Sequence, residues 1–161
     1  ERPLSEELIK NYHRILKNGT SDSRLDWFKV GDYKALPNEV GGKETIAPKK
    51  VSSEIKKLFS WYSAKEEVKF DDILEFHYRF ESIHPFQDGN GRVGRVLMFK
   101  ECLKHNIIPF IIEDEYKGLY YRGLSEYVNE RGYLRDTCLA MQDKYELLIK
   151  RFLGDLLDGA R

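Results

Sequence analysis

Between positions 84 and 95 the chain gathers a base, an acid, two closely spaced glycines and two arginines: His84-Pro85-Phe86-Gln87-Asp88-Gly89-Asn90-Gly91-Arg92-Val93-Gly94-Arg95. Each type has a chemical use. The imidazole of His84, with a reference pKa of about 6.5, suits a general base near neutral pH. Gly89 and Gly91 admit backbone conformations closed to other residues, so successive N–H groups can point into one concavity and form an anion nest. A helix beginning near Gly91 or Arg92 turns its positive dipole end to the same spot. Arg92 and Arg95 both fall on that helix's first turn, and two guanidinium groups over a nest suit a polyphosphate better than a single carboxylate. Asp88 offers the carboxylate oxygen that, together with substrate phosphates, holds Mg²⁺. Phe86 reads as an aromatic anchor that packs the loop onto the core. Singly these features are commonplace, since Gly-Asn-Gly usually marks a turn and arginine at a helix start is usually solvated. Crowded together they point to nucleotide chemistry.

Helices must position this loop. Ile73, Phe76, His77, Phe80 and Ile83 form an apolar stripe that predicts a helix over about 70–83, and Pro85 forces His84 out of helical geometry. A second helix runs from the loop to about Lys104, before Pro109. Upstream, Ser5 is an N-cap and Asn18-Gly19 a stop for a helix carrying Leu8, Ile9, Tyr12, Ile15 and Leu16. Gly41-Gly42 separates two short segments that pair as a β-hairpin. Further helices are expected over about 49–63, 115–130 and 133–157. His77 reads as a core or supporting histidine, and His13 and His105 receive no role. The sequence therefore predicts one mostly α domain of about six helices with a small hairpin.

Bulk properties exclude several classes. The chain has 161 residues, with 27 Lys plus Arg against 27 Asp plus Glu. Zero net charge argues against nonspecific nucleic-acid binding. No apolar run is long enough to span a bilayer, and no signal-peptide pattern stands at the start. Cys102 and Cys138 lack metal-ligand spacing and read as reduced core thiols of a cytoplasmic protein.

The loop resembles the signature of the Fic family, His-Pro-Phe-x-Asp/Glu-Gly-Asn-Gly-Arg-x-x-Arg, at every fixed position. Gly31-Asp32-Tyr33-Lys34, Asn38-Glu39-Val40-Gly41-Gly42 and Ala47-Pro48 are similar to the segment leading into and through that family's hairpin flap. The likeness covers about residues 8–150. It implies a Fic-type helical bundle with the flap over the loop, and a bacterial protein adenylyltransferase that moves AMP from ATP to a Ser, Thr or Tyr hydroxyl. By this likeness His84 is the base and Asp88 holds Mg²⁺ or Mn²⁺. Gly89, Asn90 and Gly91 cradle the phosphates by backbone and amide donors, with Arg92 and Arg95 clamping the β and γ sides. Tyr120, Tyr121 and Asn129 contact base or ribose, and Thr45 on the flap adds a nucleotide contact. The flap from Lys43 to Ile46 pairs with an extended target segment by β-strand addition. A homodimer is a further expectation.

Relatives also transfer UMP or phosphocholine or act as kinases, and an inactive nucleotide-sensing or protein-binding module is the non-enzymatic alternative. Many members carry an inhibitory helix whose Glu, followed by Gly or Asn, pairs with the second motif arginine, here Arg95. No Glu of this chain is followed by Gly or Asn. The expectation is that this helix lies upstream of Glu1, with a separate antitoxin or a different mode of regulation as alternatives.

Overall fold

The computed structural model describes residues 2–158. They form α1 (Glu6–Lys17), the strands β1 (Glu39–Val40) and β2 (Lys43–Glu44), α2 (Val51–Ser63), α3 (Phe70–Ile83), α4 (Asn90–Lys104), α5 (Lys117–Ser125) and α6 (Gly132–Asp158). The fold is the mostly helical one the sequence predicts, with its small hairpin. Two compact units follow one another along the chain, one ending at Met98 and the next beginning at Phe99, within α4.

The first unit is built on apolar stripes of α1, α2 and α3. Ser5 caps α1 as expected, its Oγ accepting from the Leu8 N–H at 3.1 Å, with Glu6 and Glu7 in the first turn and Lys17 in the last. Both ends suit the helix dipole. Leu8, Ile9, Val51, Ile55, Leu58, Tyr62, Phe76 and Phe80 join with Ile83, Phe86, Val93 and Leu97 in one cluster. The loop after α3 thus contributes a core residue, Phe86, to the unit that presents it. α1 buries His13 and Lys17 as well as Leu8 and Ile9. Ile9, His13 and Lys17 recur every four residues, so one helical face passes from apolar to charged as it nears the loop.

β1 and β2 pair antiparallel, with Glu39 opposite Glu44 and Val40 opposite Lys43. Gly41 and Gly42 take φ of 58° and 76°. Two central residues of positive φ are what a two-residue hairpin turn of this twist requires, and glycine supplies them without a Cβ clash. All four strand residues are exposed.

In the second unit α5 packs on α6. It spans Lys117–Ser125 and not the predicted 115–130. Close approach is the reason: a Cβ on Gly123 would lie 2.6 Å from Leu134 Cα and 2.8 Å from Leu134 N. With α6 crossing so near, the chain must turn back, and Glu126 O receives the N–H groups of Asn129 and Glu130 in that turn. Cys102 and Cys138 are buried free thiols. Burial raises both, Cys102 to about 12, with Glu101 adding to the shift. Among the described residues no helix is long and apolar enough to cross a membrane.

Gly123→Ala should destabilise the protein by about 1–3 kcal/mol, because its new methyl group meets backbone that has no rotamer to give. Urea unfolding measures this, and a loss below about 0.5 kcal/mol would show that the helices separate freely.

Candidate active site

His84 closes α3 as its C-cap, with φ 51° and ψ 62°. This is left-handed backbone, and for a non-glycine residue it costs about 1–3 kcal/mol. A residue before proline is expected to be extended instead. Hydrogen bonds on both sides impose the departure: His84 N–H donates to Phe80 O at 3.0 Å, and Pro85 O accepts from the Lys34 N–H at 2.9 Å. His84 Nδ1 lies 3.3 Å from Glu81 O. A carbonyl can only accept, so Nδ1 carries the proton and Nε2 keeps its lone pair. Burial holds the imidazole below its ordinary pKa, and the nearby Lys34 charge adds to the shift against the opposing Glu81 bond and Asp88 charge.

Phe86 fixes the loop. Its ring is fully buried and stacks on His13 with centroids 4.1 Å apart and planes 3° apart. Its N–H donates to Asn90 Oδ1 at 2.7 Å, and its carbonyl accepts from Asn90 Nδ2 at 2.8 Å and Asn38 Nδ2 at 3.0 Å. The Asn90 amide thus holds the loop itself, through its oxygen and one of its two N–H bonds. Gln87 Oε1 accepts from the Leu36 N–H at 3.2 Å.

His13 and Lys17, given no role by the sequence, both reach Asp88. Gly31 N–H donates to His13 Nδ1 at 2.9 Å, which leaves Nε2 protonated to donate to Asp88 O at 3.1 Å. Burial, followed by the charges of Lys17 and Arg92, keeps His13 below its ordinary value and neutral, against the pull of Asp88. Lys17 Nζ stands 2.6 Å from Asp88 Oδ2 and 2.5 Å from Asp22 Oδ2, with its side chain 4% exposed. Arg92 Nη2 reaches the same Asp88 oxygen at 3.1 Å. Partial burial raises the Asp88 pKa, but the Lys17 bond, the Gly89 amide and the charges of Lys17 and Arg92 outweigh it, and the carboxyl sits below its ordinary range.

The glycines differ. Gly89 takes φ 84°, and its carbonyl accepts from the Val93 N–H at 3.0 Å to begin α4. Gly91 has no positive φ and already lies in α4, which starts at Asn90, one residue before the predicted start. Its value is space, since a Cβ there would stand 3.1 Å from Arg95 Nη1. The two arginines also diverge, against the expectation of one shared side. Arg92 turns back to Asp88, while Arg95 lies along Gly91 and bears electrostatically on His77 and Glu81. His77 is fully buried and Glu81 is half-buried. Burial lifts Glu81 to about 7 although Arg95 pulls it down, and burial with the Arg95 charge depresses His77 to about 3. A methyl group on Gly94 would overlap Glu81 Oε1, so this glycine admits the acid.

Lys34, another residue the sequence left without a role, ties the hairpin to the loop. Its buried Nζ donates to Thr45 Oγ1 at 2.6 Å, Asn38 Oδ1 at 2.7 Å and Ile83 O at 3.4 Å. Burial lowers its pKa to about 8. Thr45 Oγ1 accepts from Lys34 and also lies 2.5 Å from Asn38 Oδ1, so this hydroxyl pins the hairpin's base. Tyr120, Tyr121 and Asn129 belong to the second unit. Tyr120 is buried, Tyr121 is exposed, and their rings lie 5.4 Å apart. Asn129 is exposed, with Nδ2 3.4 Å from Glu126 Oε2. Among the described residues no group of three or more His, Cys, Asp or Glu side chains could hold a metal alone. A lone carboxylate at the mouth of a phosphate nest fits a divalent cation shared with a polyphosphate.

Known proteins resemble this chain in sequence and in fold. The model of the Fic/DOC family matches residues 3–102. A protein adenylyltransferase fic-1 of Caenorhabditis elegans is 26% identical over 152 residues, which are 92% of this chain and 28% of that protein. A protein adenylyltransferase Fic of Aedes aegypti is 27% identical over 118 residues, 71% of this chain and 22% of its own length. The chain thus spans about a quarter of the curated relatives it matches. The crystal structure of a Fic domain containing signaling protein from Bacteroides thetaiotaomicron superposes with a TM-score of 0.75 at 24% identity, covering 93% of this chain and 63% of that one.

Asn90→Ala leaves the buried Phe86 N–H unmet, and such a group costs about 1–3 kcal/mol. Gln87→Ala, which removes a more exposed bond, should stay within about 0.5 kcal/mol. Equal losses for the two in urea unfolding would show that Phe86 is not the fixed point of the loop.

Proposed function

This chain belongs to the Fic/DOC family, and from that premise we propose that it is a protein adenylyltransferase that transfers AMP from ATP to a hydroxyl of a target protein and releases pyrophosphate. The observation that carries the reading is the protonation pattern at His84. Nδ1 is committed to Glu81 O, so Nε2 presents a lone pair. That lone pair takes the proton of the target hydroxyl as its oxygen attacks the α-phosphorus, and the bond from the α-phosphorus to the bridging oxygen breaks to release pyrophosphate.

The phosphates lie over the backbone N–H groups at the start of α4, from Gly89 to Gly91, where the helix dipole and the open turn favour anions. Arg92 and Arg95 supply positive charge from their two directions. Asp88 is the carboxylate that would hold Mg²⁺ or Mn²⁺, and the bound cation would neutralise charge on the phosphates. Tyr120, Tyr121 and Asn129 are proposed contacts to a nucleotide base or ribose, with Tyr121 exposed and Tyr120 buried in its own unit. The hairpin takes the target. Its strand residues are exposed and its base is held to the loop through Thr45, Lys34 and Asn38. An extended target segment that adds along Lys43 to Ile46 would gain backbone bonds there while its hydroxyl is directed to His84.

Incubation with ATP labelled at the α or the γ position tests the reading. Label should reach protein from the α position only, and His84→Ala should abolish transfer while ATP binding persists. Label from the γ position alone would make the protein a kinase. ATP binding without any label would make it a sensor.

The pH profile carries a second expectation. The base must be neutral to act, and its pKa lies below the ordinary imidazole value. Activity should therefore persist below about pH 6.5 and fall only as pH drops through the depressed pKa. An acid limb of kcat/KM above that value would remove His84 from the role.

A further inference from the structure

We infer that Lys17 is a resident cation of Asp88 that competes with the divalent metal, and that Asp22 receives its ammonium when the metal binds. The inference rests on the reading of Asp88 as the metal carboxylate.

Lys17 Nζ lies 2.6 Å from Asp88 Oδ2, while the Arg92 guanidinium reaches the same oxygen at 3.1 Å. Both lone pairs of Oδ2 are thus directed at cations. A divalent cation bound through that oxygen must displace a donor, and its charge repels an ammonium left beside it. Arg92 is half exposed and can swing into solvent, but the Lys17 side chain is 4% exposed and cannot. Leaving it buried without an anion would be costly.

Asp22 meets that need. Its Oδ2 lies 2.5 Å from the same ammonium, and the Asp22 side chain is 42% exposed. The Phe28 ring adds a third neighbour, with its centroid 5.1 Å from Lys17 Nζ. The ammonium therefore keeps an anion and an aromatic face after it yields Asp88. Chain geometry supports the arrangement. Lys17 sits in the last turn of α1, and a short turn at Asp22–Arg24 follows, tied back by Thr20 N–H and Thr20 Oγ1 to Lys17 O at 3.3 and 2.8 Å. Asp22 is thus held beside Lys17 by bonds that do not involve the loop carrying Asp88. A lysine that served only to brace the loop would need no second carboxylate.

The test is a titration with Mn²⁺, followed by the electron paramagnetic resonance of the free ion, on protein saturated with a non-hydrolysable ATP analogue. Lys17→Met removes the competitor and should tighten Mn²⁺ binding at least tenfold. Asp22→Asn removes the acceptor and should weaken it several-fold, and Asp88→Asn should abolish it. Binding by Lys17→Met that is equal to or weaker than wild type would overturn the inference. If that variant does not fold, Asp22→Asn decides, because unchanged or tighter binding there has the same force. The outcome is separate from that of the labelling experiment. A protein that shows this order of affinities yet takes no α-label fails as an adenylyltransferase alone, while one that labels but binds Mn²⁺ without regard to Lys17 and Asp22 fails this inference alone.

Discussion

One buried side chain, Phe86, sets the terms for everything around it. A loop without helix or strand cannot enter a core unless its backbone polar groups find partners. Here Asn90 and Asn38 satisfy Phe86, His13 serves Asp88, and Lys34 serves Pro85. Three separate stretches of chain, α1, the segment from 31 to 45 and the first turn of α4, are thereby registered to the same few atoms. The stacking of Phe86 on His13 makes the registration apolar as well as polar. The histidine, the carboxylate and the nest hold their relative positions because Phe86 cannot move.

Charge is partitioned across this frame. Asp88 faces Lys17, Arg92 and neutral His13 on the α1 side, while Arg95 faces half-buried Glu81 and buried His77 on the α3 side. The two motif arginines are three residues apart in sequence and yet sit in different electrostatic surroundings. Glu81 joins the two regions, since its side chain feels Arg95 and its carbonyl holds His84 Nδ1.

Features written in local chemistry were legible in the sequence. Ser5 as a cap, Gly41-Gly42 as a hairpin turn, Pro85 as the end of α3 and Phe86 as a core anchor all depend on residues close by along the chain. The supporting cast was not legible, because its partners lie far away: Lys17 and His13 meet Asp88 across more than seventy positions, and Lys34 meets Ile83 across forty-nine. One signal was present for the first two. His13 and Lys17 fall on the buried face of an amphipathic helix, where a polar residue needs a partner from elsewhere. The length of α5 was misjudged for the same reason, since the approach of Leu134 to Gly123 has no trace in the local pattern. Gly91 shows the reverse error, a glycine credited with unusual backbone that in fact makes room.

The left-handed backbone of His84 sets side chain and fold at odds. Glycine or asparagine would occupy that conformation at less cost, so the imidazole is held there at the expense of local stability. The bonds from His84 N–H to Phe80 O and from Lys34 N–H to Pro85 O brace that backbone, and the Glu81 carbonyl fixes the ring through Nδ1.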